Sequence, residues 1–358
     1  LSEDIVIELQ SPLHADWSEQ YFKLRLPGAQ PGDAFTLSIN NQPNPFQYTG
    51  EGGEAGAEVL ILLGFAKDER KVLRFGKTDE CATSLERVRI DMSLGASIKT
   101  CGQSIEIPAP LPAHQAASAM PGAIAINGPW RKLAGWPMDS LIRCQAEFLR
   151  AGLHLINDGT LFSDYELGYE FSGDRTYALR LRCYKKDPYV EVSEFLQMGM
   201  GAELSWSLNQ GGQFTDIISC DSFEGESQPR VEPLGQARPG QMLCRLQMPV
   251  LSEYFVPNNR GWFAFFNANL EEAGMLGIMG LYGSRWRHAA QNMLKLYDNG
   301  GRIECRASLE SGERHWLLYA GSVEKDYAPD RRLVFHRLHA EFNALRLDEH
   351  LDLRGKAI

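Results

Sequence analysis

Residues 280–292 read GLYGSRWRHAAQN, and residues 312–316 read GERHW. Each stretch gathers arginine, histidine and tryptophan beside a glycine: Arg285, Trp286, Arg287 and His288 in the first, Arg314, His315 and Trp316 in the second. A guanidinium offers a planar fork of donors that suits a carboxylate. An indole ring lies flat against the apolar face of a ligand. If both stretches reach the same edge of a sheet, together they provide the chemistry of carbohydrate contact. The competing reading is a packed inter-strand turn, with the tryptophans as core anchors and the arginine stems laid over them. It makes the smaller demand on the sequence. GPWRKLAGWP (128–137) adds a second tryptophan pair, Trp130 and Trp136, which reads either as a sugar platform or as a plug between domains. In YFVPNNRGWF (254–263), Tyr254, Asn258, Asn259 and Arg260 are the groups a uronate lyase uses for proton transfer and carboxylate neutralisation. Nothing in the sequence locates them against one another.

Other chemistries lack their motifs. There is no phosphate-cradling GxxxxGK[ST], no GxGxxG opening a helix after a strand, no HExxH and no GxSxG. The seven cysteines (81, 101, 144, 183, 220, 244 and 305) form no CxxC pair, so zinc and dithiol redox centres are not expected. Cys183 and Cys305 fall inside apolar runs, where a thiol behaves as a small hydrophobe. His336 and His339 lie three apart on a helix-like tail with no third ligand in view and read as a solvated face. No metal and no cofactor are expected. Acidic residues are abundant, but a glycosidase pair is defined by its separation in space, which sequence does not show.

The net charge of −10 argues against a nucleic-acid partner, because phosphate binding needs clustered Lys and Arg. The longest apolar run, VLILLGFA (59–66), has strand length, so no membrane span is expected. The absence of Met at position 1 and the LRGKAI ending suggest a piece of a larger exported protein, periplasmic or extracellular.

These residues must be positioned mainly by strands. DIVIEL, YFKLRL, AFTLSI, VLILLGF and KVLRF arrive at short intervals with Pro/Gly turns between them, which predicts a small β-sandwich over residues 1–107. IPAPLPAHQAASAMPG (107–122) breaks this composition, and 108–137 reads as a proline-rich strap. Residues 138–334 are expected to form a larger antiparallel sandwich. In it YELGYEF, TYALRLRCY and YVEVSEFLQ form a meander whose alternation separates Tyr177, Leu179, Leu181 and Cys183 from Ala178, Arg180, Arg182 and Tyr184. DSLIRCQAEFLRAG (139–152) fits a helix through a capping Asp139, and fits a strand through its alternation and the NDG turn beyond it. We favour the strand. Phe335, Leu338, Phe342 and Leu345 predict a helix over 335–358 leading into a further domain.

The meander YELGYEFSGDRTYALRLRCYKKDPYVEVSEFLQMG, with INDGTLF before it and LYGSRWRHAAQN after it, resembles the N-terminal β-rich region of large bacterial heparinase II/III-like, lyase-related proteins. NPFQYTG and ILLGFAKDERKVLRF are similar to the first sandwich of such proteins. The resemblance implies that the catalytic groups reside in a C-terminal domain absent from this chain, so no catalytic residue is carried over. The long-strand region also resembles the supersandwich of sugar mutarotases, although no His/Glu pair is identifiable by spacing. The sequence therefore predicts an all-β chain, a small sandwich followed by a larger supersandwich-like one and a short C-terminal helix. Its expected role is structural support in a polysaccharide-degrading enzyme, with a polysaccharide or oligosaccharide and the enzyme's own catalytic domain as partners. A self-sufficient mutarotase-like or lyase enzyme and a purely structural or adhesive sandwich are the alternatives.

Overall fold

The structure is a computed structural model. It describes residues 4–10, 17–53, 56–78, 87–101, 103–111, 122–133, 136–208, 214–220, 230–236, 238, 240–247, 262–267, 274–280, 285–286 and 293–322. These are all-β, with 28 strands, and every strand pairing between named strands is antiparallel. The expected C-terminal helix lies outside the described residues, as do 112–121 and 134–135 of the proline-rich strap; the described part of the strap includes strands Ile124–Asn127, Lys132–Leu133 and Trp136–Pro137.

Two compact units emerge. The first comprises Leu1–Arg87 with Ile156–Ser163, and the second comprises Val88–Leu155 with Asp164–Ala344. In the first, a four-stranded and a three-stranded sheet supply one core. Strand Gly56–Phe65 is its centre: it pairs with Trp17–Leu26 on one side and Phe46–Gly53 on the other, and Val59, Ile61, Leu63 and Phe65 point inward. Leu9, Leu37, Ile39, Leu73 and Phe75 meet them from the other sheet. Asn40 and Asn41 both take positive φ between strands Phe35–Ile39 and Gln42–Asn44. That is the two-residue turn whose twist matches a hairpin, and asparagine tolerates it better than most side chains. Buried Gln47 holds the 156–163 segment in this unit. Its amide nitrogen donates to Asn157 Oδ1 at 3.1 Å and to the Phe162 carbonyl at 3.0 Å, while its oxygen accepts from the Leu161 and Phe162 amides.

The second unit contains a four-stranded, a six-stranded and an eleven-stranded sheet around one large core. The meander expected from the sequence is present as Phe162–Phe171, Arg175–Tyr184 and Tyr189–Gln197, side by side in the eleven-stranded sheet. Gly173 and Asp174 make its first turn with positive φ at both positions. Strand Gly312–Ser322 pairs on the far side of Tyr189–Gln197. The ambiguous 139–152 stretch is strand, split into Asp139–Cys144 and Phe148–Asp158. Its alternation wins because Ile142 and Cys144 enter the core on one face. Strands Val88–Ile90, Ala96–Thr100 and Gln103–Ile107 lie in this second unit, where Ile98, Ile105 and Ile107 join its core.

Among the described residues, Cys101, Cys144, Cys183 and Cys305 are free thiols, and all but Cys101 are buried. Burial raises the Cys183 and Cys144 thiols above the ordinary value, so both pack as apolar groups.

Gly56, at φ 112°, starts the central strand of the first unit, and a side-chain carbon there would fall onto the Leu26 carbonyl oxygen. Gly56→Ala should therefore lower stability by about 2 kcal/mol or more, counting both the backbone strain and the steric conflict. Denaturant unfolding of the two proteins checks this, and an unchanged midpoint would contradict the account.

Candidate functional site

The eleven-stranded sheet has two faces of different chemistry. Successive residues of a strand point to opposite sides, so the core-facing set on Tyr189–Gln197 is Val190, Val192, Glu194 and Leu196. Its register partners on Gly312–Ser322 are Leu318, Trp316, Arg314 and Gly312. Arg314 and Trp316 thus enter the core, while His315 between them faces the opposite side.

On the core side, Glu194 is the hub of a sealed polar cluster. Tyr177 Oη donates to its Oε1 at 2.6 Å, and Arg314 Nε donates to its Oε2 at 2.7 Å. Trp316 Nε1 donates to the same Oε2 at 3.0 Å. Arg314 Nη1 also donates to the Ser308 carbonyl at 2.8 Å. Arg314 and Trp316 are 0% exposed and Glu194 1%. Trp130 and Trp206 pack their rings against Trp316, with centroids at 6.0 and 5.8 Å. Trp136 lies at the margin of the same core, 4.5 Å from Phe214. Of the residues singled out for carbohydrate contact, Trp130, Arg314 and Trp316 are therefore gathered into one buried cluster. Burial drives the Tyr177 phenol well above its usual range, and the adjacent Glu194 carboxylate adds to the shift. Tyr169, stacked on Tyr177 at 5.9 Å, is raised by burial alone.

The outer face runs from a closed end to an open one. At the closed end Asp164, 0% exposed, accepts from Arg182 Nε at 2.8 Å, Arg182 Nη2 at 2.9 Å and Arg180 Nη2 at 2.6 Å. Burial pushes the Asp164 carboxyl up, but the charges and hydrogen bonds of the two guanidiniums outweigh it and hold the group below the ordinary range. Beside it Tyr184 Oη donates to Glu191 at 2.9 Å. At the open end stand Ser193, Phe195, Glu313 and His315. Ser193 Oγ and His315 Nδ1 are 2.9 Å apart, and His315 Nε2 sits 4.0 Å from Glu313 Oε2. The Phe195 ring meets the imidazole edge-on at 6.4 Å. Phe195 is 41% exposed.

The two arginine-rich stretches do meet. Strand Arg285–Trp286 pairs with the start of Gly312–Ser322, Arg285 opposite Glu313 and Trp286 opposite Gly312. This places the first stretch on the sheet next to the open end. Arg287 and His288 lie outside the described residues, as do Tyr254, Asn258, Asn259, Arg260, His336 and His339. Sequence reasoning passed over Phe195, Glu313 and Ser193. The signal was present, because alternation already set Phe195 opposite the apolar face of its strand. Among the described residues no group of three or more His, Cys, Asp and Glu converges as a metal site, and no helix is long and apolar enough to cross a membrane.

Truncating one member of the buried pair should be severe. Arg314→Met leaves Glu194 charged in the core and should lower stability by about 3–5 kcal/mol, with a smaller loss when Glu194→Leu accompanies it. Chemical denaturation of the single and double variants reads this directly, and equal losses would refute the assignment. Tyr169 and Tyr177 are protonated in the folded chain above the value of about 10 they have when unfolded. Their contribution is complete below that value and is lost as pH rises past it towards the folded values. The phenolate absorbance of these two rings should then appear only together with alkaline unfolding, and its amplitude should fall by one ring in Tyr177→Phe.

No family model matches the chain, and no curated protein matches it by sequence. Among solved structures, it is similar to an alpha-mannosidase from Enterococcus faecalis V583, with 9% identity and a TM-score of 0.44, over 95% of this chain and 45% of that one. A glycosyl hydrolase family 38 protein from Enterococcus faecalis matches with 8% identity and a TM-score of 0.43, over 95% of this chain and 46% of its own. A family 36 alpha-galactosidase from Geobacillus stearothermophilus matches with 9% identity and a TM-score of 0.32, over 66% of this chain and 41% of its own. The chain spans less than half the length of each of these proteins.

Proposed function

We propose that this chain is the β-sandwich region of a larger polysaccharide-degrading enzyme, periplasmic or extracellular, that supports a catalytic domain elsewhere and contacts the glycan itself. The observation that carries the reading is Phe195, an exposed ring flanked by a histidine and a carboxylate on the outer face of a large sheet. An aromatic face beside polar groups able to bond hydroxyls is the usual composition of a sugar-contacting surface. The supporting role is favoured by where the strongest acid clusters lie. A glycosidase needs two carboxyl groups flanking the scissile bond. Glu194 and Asp164 are both sealed from solvent and neutralised by arginines, so neither reaches a substrate. The lyase-type parentage expected from the sequence calls for an acidic glycan, and the same binding surface is where that expectation is put to the test.

In affinity electrophoresis against a range of polysaccharides, the 358-residue chain should be retarded by at least one of them. Phe195→Ala should weaken that binding about tenfold, the worth of one well-placed ring contact. The unfolding midpoint should stay unchanged, because the side chain lies outside the core. The isolated chain should show no turnover of the retarding glycan. Retardation indifferent to Phe195→Ala, or cleavage by the isolated chain, would end this reading.

A further inference from the structure

We propose that the surface beside Phe195 is a subsite for an uncharged sugar ring, a hexose unit of a neutral glycan, and not for a uronate or sulfated sugar; this rests on the glycan-contact reading above. The first ground is space. Ala178 lies directly opposite Phe195 in the sheet register and is only part buried. On the next strand Gly168 stands between core-facing Leu167 and Tyr169, so it faces the same side as Phe195, and a side-chain carbon there would meet nothing within 4 Å. Two minimal side chains on adjacent strands leave a shallow shelf with the Phe195 ring as its wall.

The second ground is the polar rim. The Ser193 hydroxyl engages His315 Nδ1, so the imidazole presents Nε2 on the side of Glu313. Glu313 is 39% exposed at its side chain. A carboxylate accepts two hydrogen bonds side by side and so suits the adjacent hydroxyls of a pyranose whose C–H face rests on Phe195. The third ground is charge. Of the described cations on this face, Arg180 and Arg182 are committed to Asp164 at 2.6–2.9 Å, and Arg150 pairs with Glu170 at 2.8 Å. The charge that stands opposite Phe195 in the register is the Glu313 carboxylate, 39% exposed at its side chain. A uronate or sulfate placed here would face like charge, and such repulsion is how a site rejects one ligand class while keeping another. An arginine that could reverse this balance is Arg285, whose backbone pairs with Glu313. For that reason it enters the test.

The test titrates the full chain, by ligand-observed NMR, with gluco-, manno- and galacto-oligosaccharides and separately with oligogalacturonate, oligoglucuronate and heparin fragments. At least one neutral series should bind, and no acidic series should. Glu313→Gln should weaken neutral binding about tenfold, the loss expected for a charge-assisted hydrogen bond. Ala178→Trp should abolish binding by filling the shelf, while circular dichroism and the unfolding midpoint stay those of the parent. Acidic oligosaccharides bound more tightly than neutral ones, with binding lost in Phe195→Ala and in Arg285→Ala, would overturn this proposal yet leave glycan contact standing. Binding of neither class, or binding unaffected by Phe195→Ala, would remove the glycan-contact reading itself.

Discussion

One buried carboxylate organises the larger unit. Glu194 accepts hydrogen bonds from Tyr177 on one neighbouring strand and from Arg314 and Trp316 on the other, so that three consecutive strands of the eleven-stranded sheet are joined. A charge enclosed in a core is tolerated only when it is paired and hydrogen-bonded, so the three strands must keep the register that satisfies it. A slip by one residue would turn Glu194 outward and send Ser193 or Phe195 into the core. The ion pair thus acts less as glue than as a register pin. The trio of indoles around it, Trp130, Trp206 and Trp316, adds the apolar area that keeps water away.

With the register set on one face, the other face follows. His315 stands outward because Arg314 and Trp316 stand inward, and it meets Ser193 because Arg314 meets Glu194. Phe195 and Glu313 are opposite one another for the same reason. The outer face then divides by what surrounds each charge. Around Asp164 two guanidiniums replace solvent, and the carboxylate is structural. Around Glu313 solvent remains, with the side chain 39% exposed and 4.0 Å from His315 Nε2. Similar side-chain chemistry thus meets two different surroundings according to burial alone.

Much of the local architecture could be read in advance. The period-two alternation of TYALRLRCY and YVEVSEFLQ, the SGDR turn and the strand character of 139–152 depend on neighbours in the chain, and all appear in the structure. The fate of the tryptophans and arginines could not be read. GERHW looks like a ligand-gripping loop, yet it forms part of a central strand, and alternation divides its chemistry between core and surface. Trp130 and Trp136, left open between sugar platform and plug, both pack in or against the core of the second unit.

Amino-acid order by itself determined that this chain is built of antiparallel strands, and which residues of each strand share a side, because those properties repeat over two residues and are closed by adjacent turns. Which strands became neighbours was decided only by tertiary structure. Arg314 reaches Glu194 across 120 positions, and Arg285 comes to lie opposite Glu313, through pairings between distant segments that no local pattern encodes. Whether a given arginine or tryptophan is sealed in the core or offered to a ligand depends on those pairings, since burial is a property of the assembled sheets and not of the residue.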